Sequence, residues 1–306
     1  MKTITPREFR NAFMAVMKAE HIAFRTAVGF EAKSYAYFVR TNILPRIAKN
    51  LGLLTWNKEY YGIDSMFYEE RGAPRRDGAP AVVLWPSLLF DGPGHGKSEV
   101  PPPFTLEDNV EALLDAFDAL EIKRTVLVGL SWGGMLAMRM ALQHPERVAA
   151  LSLFDTSAEA EDRGKAIKYR AFASFGRRLG LPPALVEGQI APVMFCDRTL
   201  AERRDLVERW KRDASGYPSE GTARAAMAVV VQRTNILSRL GDIRVPTLVA
   251  CGREDRATEP VHSERIAAAI PGARLEWIEH AGHITALEQP EAVSALLVPF
   301  VREQLG

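Results

Sequence analysis

Two periodicities share this chain. Up to residue 57 apolar side chains recur at helical spacing, first Phe9, Phe13, Val16 and Met17, then Ile22, Phe24, Ala27 and Phe30, which predicts helices. From Tyr60 the rhythm shortens. Ile63, Met66 and Tyr68 fall among residues suited to strands, and Gly72 to Gly78 reads as a turn. Ala81–Trp85 (AVVLW) is a short apolar run of the kind buried on both faces in a parallel sheet. Strands are expected again at Thr125–Leu130, Val148–Phe154, Arg244–Ala250 and Arg274–Ile278. Thr105-Leu-Glu-Asp108 has the form of a capping box with Asp in the place of Glu or Gln. The helix it opens carries Val110, Leu113, Leu114, Phe117 and Leu120 on one stripe, and Trp132 to His144 is also helical. Strands alternating with helices predict an α/β fold, a mostly parallel sheet with helices on both faces.

Residues 158–238 break the alternation. They are rich in Arg, Ala and Glu, read as several helices, and fall between two sheet strands. An insertion there covers the strand ends where open α/β sheets bind ligands, so it reads as a lid. The expected organisation is a helical arm at 1–57, a core at 58–157 and 239–306, and a lid at 158–238.

Charge changes this picture little. The chain carries a formal net charge of +1, which gives no pull toward nucleic acid. The arm is basic, with nine Lys/Arg against Glu8, Glu20 and Glu31, so contact with an anionic membrane surface has to be considered. Its aromatics are spread around the helices rather than gathered on one face, and a packed arm is the expectation. No run of about 18 apolar residues occurs, and charges at Arg7, Glu8, Arg10, Lys18 and Glu20 interrupt any signal-peptide core. Cys196 and Cys251 are far apart and form neither a disulfide framework nor a metal spacing. A cytoplasmic protein without metal or cofactor is expected.

The candidate chemistry starts at Gly129-Leu-Ser-Trp-Gly133, a G-x-S-x-G pattern between an apolar strand and a helix-forming run. That context is specific, because the glycines allow a sharp strand-to-helix turn that raises the Ser131 hydroxyl above the sheet. The Trp132 amide then points where an oxyanion develops. Serine needs a base to take its proton. His283, in His280-Ala-Gly-His283 after the last strand, is the best placed, with His280 its competitor. The base in turn needs an acid. Asp255, after the strand at 244–250, is the first choice, and Asp155 and Glu254 are the alternatives. Ser, Asp, His is the chain order of α/β-hydrolases.

The run from Val126 to Thr156 (VLVGLSWGGMLAMRMALQHPERVAALSLFDT) resembles the nucleophile region of the α/β-hydrolase superfamily. It is most similar to the branch of 3-oxoadipate enol-lactonases and related esterases. Asp91-Gly-Pro-Gly-His-Gly-Lys-Ser98 resembles the family's loop after the fourth strand, and the segments around Asp255 and Gly282-His283 its acid and histidine motifs. The resemblance implies a second oxyanion donor from the backbone near Ser87-Leu88. It also exposes a departure: residues 86–90 are too few for the crossover that joins two parallel strands, so a strand-helix unit is expected to be missing near 86–91. Serine at 131 argues against the dehalogenase branch, which carries aspartate there.

Gly92-Pro-Gly-His-Gly-Lys-Ser98 also looks like a phosphate-binding loop, but that motif needs glycine where Asp91 stands. The expected function is a serine hydrolase acting on a small ester, lactone or thioester. The alternatives are a C–C bond hydrolase with the same three residues, or a hydrolase-fold binding protein with weak or lost turnover.

Overall fold

The computed structural model describes residues 61–63, 66–68, 81–85, 90–91, 100, 102–119, 122–179, 186–215 and 219–305. The arm at 1–57 and the Ser87-Leu88 backbone lie outside the described residues. The chain divides into two compact units, residues 1–64 with 68–71, and residues 65–67 with 72–306.

The larger unit is built on a parallel sheet of five strands. In chain order the described strands are β1 (Tyr61–Ile63), β2 (Met66–Tyr68), β3 (Ala81–Trp85), β4 (Phe90–Asp91), β5 (Thr125–Leu130), β6 (Val148–Phe154), β7 (Thr247–Gly252) and β8 (Arg274–Ile278), and the large sheet sets β3, β5, β6, β7 and β8 side by side in that order. Every neighbouring pair is parallel. Three strands are buried along their whole length or nearly so, as their unbroken apolar runs require. β7 starts three residues later than its apolar run suggests, because Pro246 has no N–H to give the ladder. The Pro246 carbonyl still accepts from the Leu151 amide, at 2.9 Å.

The helix Leu106–Ala119 starts at the expected capping box. The Thr105 amide donates to Asp108 Oδ2 at 2.7 Å, and the Asp108 amide donates to Thr105 Oγ1 at 3.1 Å. Aspartate thus performs the reciprocal cap usually given to glutamate. The stripe Val110, Leu113, Leu114 and Phe117 is buried.

The shortened stretch resolves into two pieces. β3 pairs with β5 in the main sheet, whereas β4 (Phe90–Asp91) neighbours β2 (Met66–Tyr68) in a separate small sheet. Only residues 86–89 join them, so a crossover helix has no room. The strand survives as two residues, and the helix does not.

Between β6 and β7 lie the helices Arg163–Leu179, Ala191–Met194, Asp197–Glu202, Arg204–Ser215 and Ser219–Ala226. The middle of this insertion has its own small core of Ala191, Phe195, Leu206 and Val207, with Trp210 edge-on to Phe195 at 5.3 Å. Arg139, on the helix after the nucleophile turn, is 2% exposed and secures the insertion's exit. It donates to the Thr234 carbonyl at 2.8 Å and to Glu107 Oε1 at 3.0 Å. No described helix is long and apolar enough to cross a membrane.

Candidate active site

Parallel strands end at one edge of the sheet, and the chain places its reactive residues there in turn. Ser131 follows β5, Asp155 follows β6, Asp255 lies three residues beyond β7, and His283 five beyond β8. Ser131, Asp155 and His280 all have positive φ, at 53°, 47° and 55°, a region non-glycine residues enter only where the surroundings enforce it.

At Ser131 the enforcement is visible. Its amide donates to the Phe154 carbonyl at 2.8 Å, and its carbonyl accepts from Thr156 Oγ1 at 2.6 Å and from the Met135 amide at 3.1 Å. The helix Trp132–Gln143 begins at the next residue, so the Trp132 amide heads a helix whose first amides have no intrahelical acceptor. A Cβ on Gly129 would lie 2.3 Å from the Gly133 carbonyl carbon, and one on Gly134 would lie 2.6 Å from the Thr156 side chain. Gly129→Ala and Gly134→Ala are therefore each expected to lower Tm by about 5 °C or more in a thermal melt, the effect of one or two kcal/mol of overpacking in a domain of this size.

His283 is 5% exposed and Asp255 3%. The imidazole Nδ1 stands 3.0 Å and 3.1 Å from the two carboxylate oxygens of Asp255. That carboxylate also accepts from the Ala257 amide at 2.8 Å, the Thr258 amide at 3.0 Å and Thr258 Oγ1 at 2.8 Å. With the carboxylate oxygens as acceptors, Nδ1 carries the proton and Nε2 is left with its lone pair. Burial disfavours the charged imidazole, but the hydrogen bond and charge of Asp255, helped by Asp155 and Glu288, outweigh it and raise the His283 pKa.

Asp155 lies close to this pair without joining it. Its Oδ1 accepts from the Gly252 amide at 2.8 Å and its Oδ2 from Thr285 Oγ1 at 2.5 Å. Burial, reinforced by the Asp255 charge, pushes its carboxyl up to about 7. His280 is exposed, and its carbonyl rather than its ring is engaged, by Cys196 Sγ and Gln289 Nε2. The Glu254 amide bonds the Ala281 carbonyl at 3.0 Å. Of the residues singled out from sequence, the structure brings Asp255 and His283 into contact and sets Ser131 at the same sheet edge.

Two participants carried no obvious sequence signal. Thr258 reaches both Asp255 and, at 3.3 Å, His283 Nδ1. The spacing Asp-x-x-Thr after a strand is the only hint, as a local side-chain turn. Glu288, two per cent exposed, is the other.

A cavity of about 280 Å³ lies between the insertion's helices and Phe104, lined by Arg170, Arg177, Glu220, Arg224 and Met227 among others. Phe104 stacks on Trp132 at 6.2 Å. Arg224 is engaged by Glu220 at 2.7 Å, whereas Arg170 has no acidic partner among the described residues.

With this fold and this arrangement the chain belongs to the α/β-hydrolase fold family, which matches residues 84–290. It is an α/β hydrolase close to the enol-lactonase and esterase-like branch. It is 27% identical over 206 residues to 3-oxoadipate enol-lactonase 2 of Acinetobacter baylyi, covering 67% of this chain and 74% of that protein. It is 26% identical over 223 residues to 2-hydroxy-6-oxo-6-phenylhexa-2,4-dienoate hydrolase of Comamonas testosteroni, covering 71% and 77%. The solved structure of a thermophilic esterase from Thermogutta terrifontis superposes with a TM-score of 0.73 at 26% identity, covering 81% of this chain and all of that one.

Proposed function

We propose that this protein is a serine hydrolase that cleaves a small ester, lactone or thioester through an acyl-enzyme at Ser131. One observation carries the reading: His283 Nδ1 is held by the Asp255 carboxylate at 3.0 Å, at the sheet edge where the left-handed Ser131 turn raises a hydroxyl. His283 Nε2 takes the serine proton as Oγ attacks the carbonyl carbon. The Trp132 amide receives the developing oxyanion, with the Ser87-Leu88 backbone as the second donor. Collapse expels the alcohol or thiol, which takes its proton from His283, and water then releases the acid by the same route.

The arginine-lined cavity supports an acyl group that carries a negative charge. A p-nitrophenyl ester with a terminal carboxylate is expected to show a KM lower by roughly five-fold than its neutral isostere, the scale of one exposed ion pair. The gap should close at high salt and in Arg170→Met. Equal KM values for the two esters at low salt would remove the cavity from substrate recognition.

The four-residue link between β3 and β4 favours a second reading, a hydrolase-fold protein with weak turnover. A fluorophosphonate probe with mass-spectrometric site mapping, run beside a screen of esters, lactones and a C–C substrate, separates the readings. Labelling at Ser131 with ester or lactone turnover supports the first reading, and labelling with negligible turnover supports the second. An unlabelled Ser131 in folded protein would sink the first and leave the protein as a hydrolase fold that has lost turnover.

The raised His283 pKa sets a sign for the pH profile. The base works only when neutral, so kcat/KM should fall with decreasing pH through an inflection above 6.5, the ordinary imidazole value. An inflection well below that value would show that Asp255 does not support the ring.

A further inference from the structure

A carboxylate taken out of water is costly unless each oxygen finds donors. Glu288 ends the short helix Thr285–Glu288 that follows the catalytic histidine loop. Its Oε1 accepts from the Gly282 amide at 2.7 Å, one residue before His283. Its Oε2 accepts from the Cys196 amide at 3.0 Å, in the helical insertion. The two oxygens of one side chain thus hold two segments 86 residues apart in sequence.

The same segments meet at three further points. The His283 amide donates to the Met194 carbonyl at 3.0 Å, Cys196 Sγ donates to the His280 carbonyl at 3.3 Å, and Arg203 Nη1 donates to the Glu288 carbonyl at 2.9 Å. Gly282 has no room for a side chain, since a Cβ would lie 2.7 Å from the Cys196 nitrogen. The insertion and the histidine loop are therefore packed backbone to backbone, with the Glu288 carboxylate as the link between two amides that face it. Charged or titratable groups around the ring and this link are Asp255 and Asp155 from the sheet edge and Glu288 itself. Cys196, Asp197 and Arg203 lie on the insertion, His280 on the histidine loop, and Arg256, which is paired with Asp197, on the loop after β7.

We infer that Glu288 is a positioning residue, a carboxylate clamp that ties the helical insertion to the His283 loop and so fixes the imidazole relative to Ser131. The inference rests on the proposed roles of Ser131 and His283. It implies that the insertion is not a freely hinged flap at this end. Residues 194–196 move with the histidine, and any opening of the substrate cleft takes place elsewhere in the insertion.

Two substitutions separate the charge of the clamp from its reach. Glu288→Gln keeps the length but has a single acceptor oxygen, so one of the two amides faces an NH2 group. Glu288→Asp keeps the charge but is one methylene too short to hold both amides. Both are expected to lower kcat by about ten- to hundred-fold with a smaller change in KM, the scale of loss that follows a misplaced catalytic group. Only Glu288→Gln should move the acid limb of kcat/KM to lower pH, because a negative charge that favours the imidazolium is gone. In Glu288→Asp that limb should stay with the wild type. A wild-type kcat in both variants, or an acid limb of Glu288→Gln that coincides with the wild type, overturns the inference.

If neither variant folds, amide hydrogen exchange on the unmodified protein decides. The Gly282 and Cys196 amides should both be protected, with similar protection factors once intrinsic rates are divided out, as amides released by one opening event are. Clearly different protection factors, or an unprotected Gly282, overturn the clamp. A wild-type protein that neither labels at Ser131 nor hydrolyses esters would instead refute the proposed function, and the exchange result would still judge the clamp.

Discussion

Ser131→Ala and His283→Ala are each expected to remove nearly all hydrolysis, and the double variant is expected to be hardly slower than either single. A serine and its base act as one device, so the second loss finds nothing left to remove. Both variants should fold. Alanine at 131 keeps a Cβ, so the strained φ of 53° is no worse than before, and the backbone bonds to Phe154, Thr156 and Met135 remain. At position 283 the lost ring leaves a small cavity, but Asp255 retains the Ala257 amide, the Thr258 amide and Thr258 Oγ1 as donors. No bare buried carboxylate is created. Thermal melts confirm folding, and steady-state rates on a p-nitrophenyl ester measure the loss. Independent, additive losses in the double variant would show that the two residues do not share a mechanism.

How much of this could be read from the chain depends on the distance over which each signal acts. Local signals translated almost directly. The apolar runs at 81–85, 125–130 and 148–154 became strands with those limits, because a buried parallel strand needs an uninterrupted apolar run and little else, and the mixed segment 274–278 became the half-exposed edge strand. The cap at Thr105 and the strained turn at Ser131 were equally legible, since their residues bond within a few positions. The choice among Asp155, Glu254 and Asp255 was not fixed by pattern. All three follow sheet strands, and only the geometry of facing loops decides which carboxylate meets Nδ1. Glu288 was beyond pattern altogether: one partner is 92 residues away, and nothing near Cys196 announces that its amide needs an acceptor. The connection at 86–89 was legible by counting, because four residues cannot cross a sheet, but the separate small sheet holding Phe90–Asp91 depends on long-range pairing with Met66–Tyr68.

Asp255→Asn is expected to cut turnover by a factor on the order of 10⁴, the loss that follows when the histidine is held in the wrong tautomer, whereas Asp155→Asn should cost less than about ten-fold. The difference follows from what surrounds each carboxylate. Asp255 faces four donors, the Ala257 and Thr258 amides, Thr258 Oγ1 and His283 Nδ1. An asparagine NH2 there confronts the Ala257 and Thr258 amides if turned one way and the His283 Nδ1–H if turned the other, and the imidazole answers the second by presenting a bare Nδ1 and losing its base at Nε2. Asp155 accepts from the Gly252 amide and the Thr285 hydroxyl, with the Cys251 thiol beside it. An asparagine serves both, its oxygen accepting from Gly252 and its NH2 donating to the hydroxyl oxygen. Stability gives a second, independent sign. The Asp155 pKa is raised from 3.8 to about 7 in the folded protein, so this group favours the fold below pH 3.8 and that contribution is lost as pH climbs through 7. Asparagine cannot ionise, so the Tm of Asp155→Asn should rise relative to the wild type as pH increases from about 4 to 7. Rates at fixed pH and melts across that window test both halves. A collapse of turnover in Asp155→Asn with Asp255→Asn still active would transfer the role of acid to the strand-six residue, and a Tm difference flat in pH would mean that Asp155 is charged throughout.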